Sequence, residues 1–239
     1  MYDFLSPLQL GVYFTFILTF LGLVAGSVFF FSQKSLLRGE YQQGAILSGV
    51  ICLVAAVTYY YMQGTYLAGA REGEKAFPTI FRYLDWFITV PLMLTKFPVL
   101  LGLGSRGTAF MTRLIVASVL MLALAFIGEL NIQNAALHYG TYAVSCVFWL
   151  YILWALNNAL QQLPDGVDEE KRLGIRGMFI LILIGWVIYP VGYLMPTFNL
   201  AADYRELLYN VGDLINKVGL GLILISTGFK SQRAAGGAV

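Results

Sequence analysis

Long apolar runs cover most of the chain and alternate with short polar connections. Seven runs reach the roughly 20 residues that a helix needs to cross a bilayer: 8–31, 44–66, 79–103, 109–128, 135–157, 174–197 and 204–229. The pattern lacks the short alternating strands of a membrane β-barrel. Because lipid cannot satisfy exposed backbone groups, the runs predict helices. We therefore expect an all-α membrane protein, with residues 1–239 forming a single domain built as a seven-transmembrane-helix bundle.

The basic residues of the connections predict the orientation of this bundle. One side would hold Lys34, Arg38, Arg106, Arg113, Lys171, Arg172, Arg176, Lys230 and Arg233, and the other only Arg71, Lys75 and Arg205. The positive-inside rule then places the N-terminus outside and the C-terminus in the cytoplasm.

The charge content of the chain indicates which partners and which cellular location to expect. Only 12% of the residues are charged, and the net charge of +2 gives no reason to expect a nucleic-acid partner. The lipid bilayer is therefore the first partner that the sequence predicts. We expect a multi-pass protein of a cell membrane, with the prokaryotic plasma membrane as its setting.

Three charged residues interrupt the third run, FRYLDWFITVPLMLTK (residues 81–96). A charge inside a long apolar helix is expensive, so it is usually paired, hydrated or functional. At about 100° per residue, Arg82, Asp85, Thr89 and Lys96 share an arc of about 60° on one helix face. Asp85 and Lys96 are separated by about 16 Å along the axis. The polar groups therefore predict a line through the membrane.

The last run repeats this theme in DLINK, where Asp213 and Lys217 are one helical turn apart on the same face. A structural ion pair joining two helices is the simpler alternative. Two carboxylates, one arginine and two lysines at different depths exceed what such a pair requires. Lys96 lies roughly 10 Å from the end of its run, so extension of its side chain toward water would hydrate it only partly.

The sixth run carries aromatic residues on one face, in WVIYPVGY: Trp186, Tyr189, Pro190 and Tyr193. Together with Trp86 of the third run, they suit a flat apolar ligand that has a cation at one end. Cys52 and Cys146 lie in separate apolar runs and are interpreted as buried hydrophobic residues. His138 is the only histidine of the chain, so we predict no metal site.

These motifs together resemble the microbial (type I) rhodopsins. RYLDWFITVPL, WVIYP and DLINK match that family in order and spacing, and the likeness extends over essentially the full chain. The resemblance implies all-trans retinal as cofactor, bound to Lys217 as a protonated Schiff base. It implies that Asp85 is counterion and proton acceptor, that Asp213 is a second counterion, and that Arg82 and Thr89 support Asp85.

The same resemblance implies the walls of the retinal pocket: Trp86, Met93, Ser145, Trp149, Trp186, Tyr189 and Pro190. Tyr59 and Tyr209 would form hydrogen bonds around Asp213. Some members of the family bind an antenna carotenoid where a glycine opens the wall. Tyr142 stands at that position here, so we expect no carotenoid antenna.

Asp85 makes the chain similar to outward proton pumps of the proteorhodopsin type. Most such pumps carry a carboxylic acid as internal proton donor, and here Lys96 takes that position. We hypothesise that Lys96 is neutral in its apolar surroundings and serves reprotonation after an opening motion. Proteorhodopsins also carry a histidine that bonds the acceptor carboxylate, and Thr58 matches its position here.

The proton-release group is less defined, with Glu129, Asp203 and Glu206 as candidates near the outer side. We expect a light-driven ion transporter rather than an enzyme, and a homo-oligomer. A photosensor that signals through a partner membrane protein is the alternative function. A helical receptor or transporter without retinal is the third possibility.

Overall fold

The computed structural model describes residues 2–74, 77–103, 105–164, 166–198 and 202–236, and all regular structure within them is helical. The helices are α1 (Pro7–Gln33), α2 (Gly39–Glu72), α3 (Ile80–Leu101), α4 (Ser105–Leu130), α5 (Ala135–Gln161), α6 (Glu169–Gly185), α7 (Ile188–Leu194) and α8 (Ala202–Gly236). Two short 3₁₀ turns follow α1 and α7, at Lys34–Leu36 and Met195–Phe198. Seven helical stretches are long and apolar enough to cross a membrane, which confirms the predicted all-α fold class.

Most helices extend beyond the apolar runs that predicted them. The second run, residues 44–66, lies within the longer α2, because helical hydrogen bonding continues into polar segments. In contrast, α3 ends at Leu101, since Gly102 adopts a left-handed φ of 63° that stops the helix. Lys75, one of the outer basic residues, lies outside the described residues.

The sixth run forms one span but not one continuous helix, and in this respect the structure differs from the prediction. It consists of α6 and α7 in sequence, with Trp186 and Val187 in a turn between them. Pro190 has no N–H to donate to the preceding turn, which weakens the helix at this point. Among the aromatic residues of the sixth run, Trp186 and Tyr193 are buried inside the bundle.

The helices form a closed ring. Each helix packs on the next one in the chain, α7 continues the line of α6, and α8 closes the ring by packing on α1, α2 and α6. The outward surface is apolar, as at Phe14 and Val28, whereas Arg82, Asp85 and Lys96 are fully buried. The polar residues of the apolar runs therefore line the inside of the ring. We call the end that carries Pro7 the outer end, following the predicted orientation.

Candidate functional site

Lys217 lies between two carboxylates inside the ring. Its Nζ is 2.6 Å from Asp85 Oδ2 on α3 and 2.9 Å from Asp213 Oδ2 on α8. All three side chains are at most 2% exposed. A buried cation needs such partners, because removing one of them leaves an uncompensated charge that costs about 3–5 kcal/mol. The structure thus brings Asp85 of the third run into contact with Lys217 of the last run, which is also paired with Asp213.

Asp213 is held by hydrogen bonds on both of its oxygens. Tyr59 donates to Oδ2 at 2.9 Å, and Tyr189 donates to Oδ1 at 2.7 Å. The indole N–H of Trp86 donates to Oδ1 at 3.2 Å. Asp213 is therefore held in place beside Lys217 by donors from α2, α3 and the sixth span.

Asp85 has fewer partners than Asp213. Its Oδ1 is buried and has no hydrogen-bond partner among the described residues. Thr58, which stands at the position of the proteorhodopsin histidine, donates to the Ala55 carbonyl at 2.9 Å instead. Lys217 is thus the one donor within reach of the Asp85 carboxylate in the described part of the chain. Of the two carboxylates beside Lys217, Asp85 is therefore the one with fewer hydrogen bonds.

Two hydroxyl groups near the carboxylates, those of Thr89 and Tyr209, donate to main-chain carbonyls. Thr89 bonds Asp85, but it donates to the main-chain carbonyl at 2.9 Å and not to the carboxylate. A threonine within a helix readily bonds the carbonyl four residues earlier. Tyr209 donates to the Tyr189 carbonyl at 3.1 Å, and its predicted bond to Asp213 is not formed. Tyr209 lies one turn before Asp213 on α8, and its ring packs edge-on against Trp86.

A cavity begins at Lys217 and extends between α3, α4, α5 and the sixth span. Concave sites lined mainly by apolar and aromatic side chains are typical of small-molecule binding. The predicted wall residues all line it: Trp86, Met93, Ser145, Trp149, Trp186, Tyr189 and Pro190. Tyr209 also lines it, whereas Tyr59 lies behind Asp213.

Further wall residues were missed from the sequence. Val90, Met121, Leu122 and Ala125 line the cavity, but an apolar residue that faces a cavity looks the same in sequence as one that faces lipid. Tyr193 is also in the wall, as its place on the aromatic face of the sixth run predicted.

Buried groups of alternating charge follow one another from Lys217 to the outer end of the bundle. We call this series the charge ladder; its charged members are Lys217, Asp213, Arg82, Glu206, Arg205 and Glu129. Arg82 Nη1 donates to the Tyr59 hydroxyl at 3.1 Å, and Tyr59 donates in turn to Asp213. On its other side, Arg82 donates through Nη2 to Glu206 at 2.6 Å and to the Asn210 amide oxygen at 2.8 Å. Arg82 therefore connects the inner part of the ladder, at Tyr59 and Asp213, to its outer part, which begins at Glu206.

Arg205 and Glu129 complete the charge ladder. Arg205 Nε donates to Glu206 Oε1 at 3.1 Å, and its Nη1 lies 3.5 Å from Glu129 Oε2. Arg205, which the sequence placed among the exposed connections, is a buried residue of α8. The ion pairs with two acids offset the cost of that burial. The structure thus joins two of the three candidate release residues through one arginine.

Asp203 lies apart from the charge ladder. It accepts a hydrogen bond of 2.6 Å from the Tyr66 hydroxyl. Both residues line an outer crevice of about 330 Å³, together with Glu74 and Glu206. Glu206 therefore belongs to the ladder and to the crevice, so the polar line reaches the outer surface.

Lys96 contrasts with this outer half. It is fully buried on α3, and its Nζ has no hydrogen-bond partner among the described residues. The sequence predicted that the Lys96 side chain would be partly hydrated by extending toward the end of its helix. In the structure the whole side chain is shielded from solvent. The inner half of the bundle thus contains a buried amine without a hydrogen-bond partner in the described part of the chain.

A seven-helix bundle with a buried lysine between two carboxylates, at the end of an aromatic cavity, defines a retinal protein of the microbial rhodopsin class. The Bacteriorhodopsin-like protein family model matches residues 11–231. The chain belongs to this family.

Individual relatives agree with this assignment. The chain is 30% identical over 224 residues to a green-light absorbing proteorhodopsin of Gamma-proteobacterium EBAC31A08, covering 89% of this chain and 84% of that protein. The crystal structure of Exiguobacterium sibiricum rhodopsin superposes with a TM-score of 0.81 at 36% identity, covering 91% of this chain and 96% of that one. Xanthorhodopsin shares the fold, with a TM-score of 0.87 at 22% identity and 97% and 98% of the two chains covered. The protein is a multi-pass prokaryotic membrane protein.

Retinal is the chromophore of this family, and the residues present fit it. The cavity is lined almost entirely by apolar and aromatic groups and ends at the Lys217 amine. A primary amine is the group that condenses with an aldehyde. The amine nitrogen seen here stands in for the nitrogen that would link the two, and the paired carboxylates match the positive charge that this nitrogen would carry.

Proposed function

We propose that this protein is a light-driven proton pump that moves protons outward, with retinal bound to Lys217 as a protonated Schiff base. The observation that carries the proposal is the contact of 2.6 Å between Lys217 Nζ and an Asp85 carboxylate whose other oxygen has no partner among the described residues. When bound, retinal supplies the light-driven change of shape that alters the direction and proton affinity of the linked nitrogen.

Asp85 accepts the proton from the nitrogen of Lys217. Asp85 is suited to this role because it has fewer hydrogen-bond donors than Asp213. Asp213 keeps its charge throughout and holds the nitrogen in place. The two carboxylates thus divide the work, since one changes its protonation and the other fixes the geometry.

The charge ladder, taken together with Asp85, contains one more acid than cations. This excess favours a proton stored on one of the acids, and we assign that proton to Glu129. Within the described residues, these buried groups comprise three cations and four acids: Lys217, Arg82, Arg205, Asp85, Asp213, Glu206 and Glu129. An unpaired buried charge is costly, so one acid remains protonated. Glu206 is held by two arginines at 2.6 and 3.1 Å, whereas Glu129 has a single contact at 3.5 Å. Glu129 is therefore the acid that stores the proton.

Protonation of Asp85 leads to release at the outer end. A neutral Asp85 no longer offsets the positive charge of Arg82, so the full charge of Arg82 acts on Glu206, its partner at 2.6 Å, and Glu206 depends less on Arg205. Arg205 becomes available to Glu129 and stabilises its ionised form, so Glu129 loses its proton to the outer side. Lys96 supports the last step, because a buried neutral amine can pass a cytoplasmic proton toward Lys217.

Light-driven pH change in cells tests the pump. Cells that express the protein with all-trans retinal should acidify their medium in light, and a protonophore should abolish the change. Lys217→Ala should form no visible absorption band and give no pH change. A pigment that forms and cycles but leaves the pH unchanged would support a photosensor instead. Alkalinisation of the medium would mean inward transport.

A further inference from the structure

The break between α6 and α7 leaves a main-chain carbonyl without its helical partner. The Tyr189 N–H, which would reach Gly185 O in a regular helix, donates to Trp186 O at 3.2 Å. The Val187 N–H bonds Ile184 O at 3.3 Å, also three residues back. Gly185 O thus needs another donor, because an unpaired buried carbonyl is costly.

Asn216 of α8 supplies that donor. Its Nδ2 donates to Gly185 O at 3.1 Å and also lies 3.3 Å from the Tyr189 hydroxyl. A Cβ at Gly185 would collide with the Asn216 amide, so the close approach of the two helices requires glycine here. Asn216 is 1% exposed, and it immediately precedes Lys217 in the chain. One amide therefore ties the break in the sixth span to the residue that holds the chromophore.

The inner half of the sixth span packs closely on α8. Gly174 and Gly177 of α6 pack against Thr227 and Ile223 of α8, and a Cβ at Gly174 would overlap Thr227. Lys96 is fully buried, so we infer that a cytoplasmic proton reaches it when helix contacts of the inner half open. Helices bend most readily where the hydrogen-bond ladder is already interrupted, which here is the turn beside Gly185.

We propose that Asn216 is a positioning residue that latches the break and controls the opening of the inner half. The bond to Gly185 O stabilises the closed arrangement. When Lys217 moves after illumination, its neighbour Asn216 moves with it and releases the carbonyl. The Asn216 Oδ1 has no partner among the described residues, so few other bonds resist this movement. The inference rests on the proposed function in one respect, that Lys96 is reprotonated from the inner side.

Asn216→Leu tests the latch, because leucine has a similar shape and no donor. Without the bond, Gly185 O is unpaired in the closed arrangement but accessible to water in the open one. We expect the blue-shifted transient after a flash to decay about tenfold faster, with an unchanged absorption maximum and rise. Ile215→Ala, which alters a lipid-facing neighbour that is 54% exposed, should match the parent protein. An unchanged decay in Asn216→Leu would overturn the latch.

A second variant separates hydrogen bonding from packing. Gly185→Ala combined with Asn216→Ala replaces the amide contact by two methyl groups and should decay as fast as Asn216→Leu. A decay equal to that of the parent would show that packing alone holds the break, and would overturn the proposal. These transients are measured whether or not the protein pumps. Failure of the pump is seen separately, as the absence of a light-driven pH change.

Discussion

Asp85 and Asp213 contact the same amine, and their different surroundings favour the different roles proposed for them. Asp213 accepts bonds from Tyr59, Tyr189 and Trp86, whereas one oxygen of Asp85 has no partner in the described part of the chain. A group that must gain and lose a proton needs weaker support for its charge than a group that stays ionised. The surroundings therefore favour the proposed division, in which Asp85 changes its protonation and Asp213 stays charged.

The colour of the pigment should report the protonation of Asp85. Lowering the pH adds a proton to Asp85 and removes the negative charge nearest to the Lys217 nitrogen. The positive charge then spreads along the chromophore, and the absorption maximum shifts to longer wavelength. A spectral pH titration measures this shift. Asp85→Asn should be red-shifted at every pH, and a titration that persists in this variant would assign the shift to another group.

Lys96→Met should raise stability and slow the pump. The buried Lys96 amine has no hydrogen-bond partner among the described residues, and burying such a group destabilises the fold by about 1–3 kcal/mol. Methionine has a similar length and removes this cost. The variant should therefore bleach at a higher temperature. Reprotonation after a flash should slow about 100-fold, as expected on loss of a proton donor. The control is Thr95→Val, whose hydroxyl is bonded to the Pro91 carbonyl; equal decay rates in the two variants would contradict a role for Lys96.

Glu129→Gln should delay proton release. Without the acid that stores the proton, release to the outer side would wait until Asp85 loses its own proton late in the cycle. A pH-indicating dye in the outer medium measures the delay after a flash. Asp203→Asn alters an acid bonded to Tyr66 and outside the ladder, so its release should keep the parent timing. Early release in Glu129→Gln would point to Glu206 instead.

At the level of single residues, the sequence predicted charged positions better than their hydrogen bonds. Charge in an apolar helix is a strong signal, so Arg82, Asp85 and Lys217 could be identified from it. The bond that Thr89 makes to a main-chain carbonyl, or the pairing of Arg205 with Glu129, depends on rotamers and on neighbouring helices. No pattern along one chain contains that information.

Among the helices, the contact between the sixth span and α8 depends on glycine. Gly174, Gly185 and Gly212 each face a side chain of the opposite helix so closely that a Cβ would overlap it. Small residues allow helix backbones to approach closely in membranes, where packing rather than water drives association. The break at Trp186 was not predicted, because the apolar run continues across it without a change in composition.

Gly174→Ala tests this packing. Its Cβ would meet Thr227, a β-branched residue that cannot move aside freely, and the strain should destabilise the protein by about 1–3 kcal/mol. The temperature at which the pigment bleaches should fall. The control is Gly64→Ala, because a Cβ added at Gly64 would have no neighbouring atom within 4 Å and alanine favours helix. Equal bleaching temperatures would show that the helices adjust to the added methyl group.

For the whole molecule, length and composition were sufficient to predict seven spans, since each must be long and apolar to cross lipid. The closed ring and its cavity required the structure, because apolar residues on lipid-facing and inward faces have the same composition. Only the contacts between helices show which apolar side chains surround the cavity.

The predicted orientation can be tested with fusions. A reporter that fluoresces only in the cytoplasm should be active at the C-terminus and inactive at the N-terminus, since the basic connections favour the inner side. A periplasmic phosphatase reporter should show the opposite pattern. If both reporters gave the reverse result, the direction of transport assigned here would reverse with it.

The uneven distribution of charge along the bundle has an electrical consequence. The outer half contains the charge ladder and a crevice that reaches Glu206, whereas the inner half contains the buried Lys96, whose amine has no hydrogen-bond partner among the described residues. A membrane voltage falls mainly across the region that polarises least, which here is the inner half. Moving one charge against it costs about 2.3 kcal/mol per 100 mV. An energised membrane should therefore slow the return of the proton from the cytoplasm and leave its release to the outside nearly unaffected.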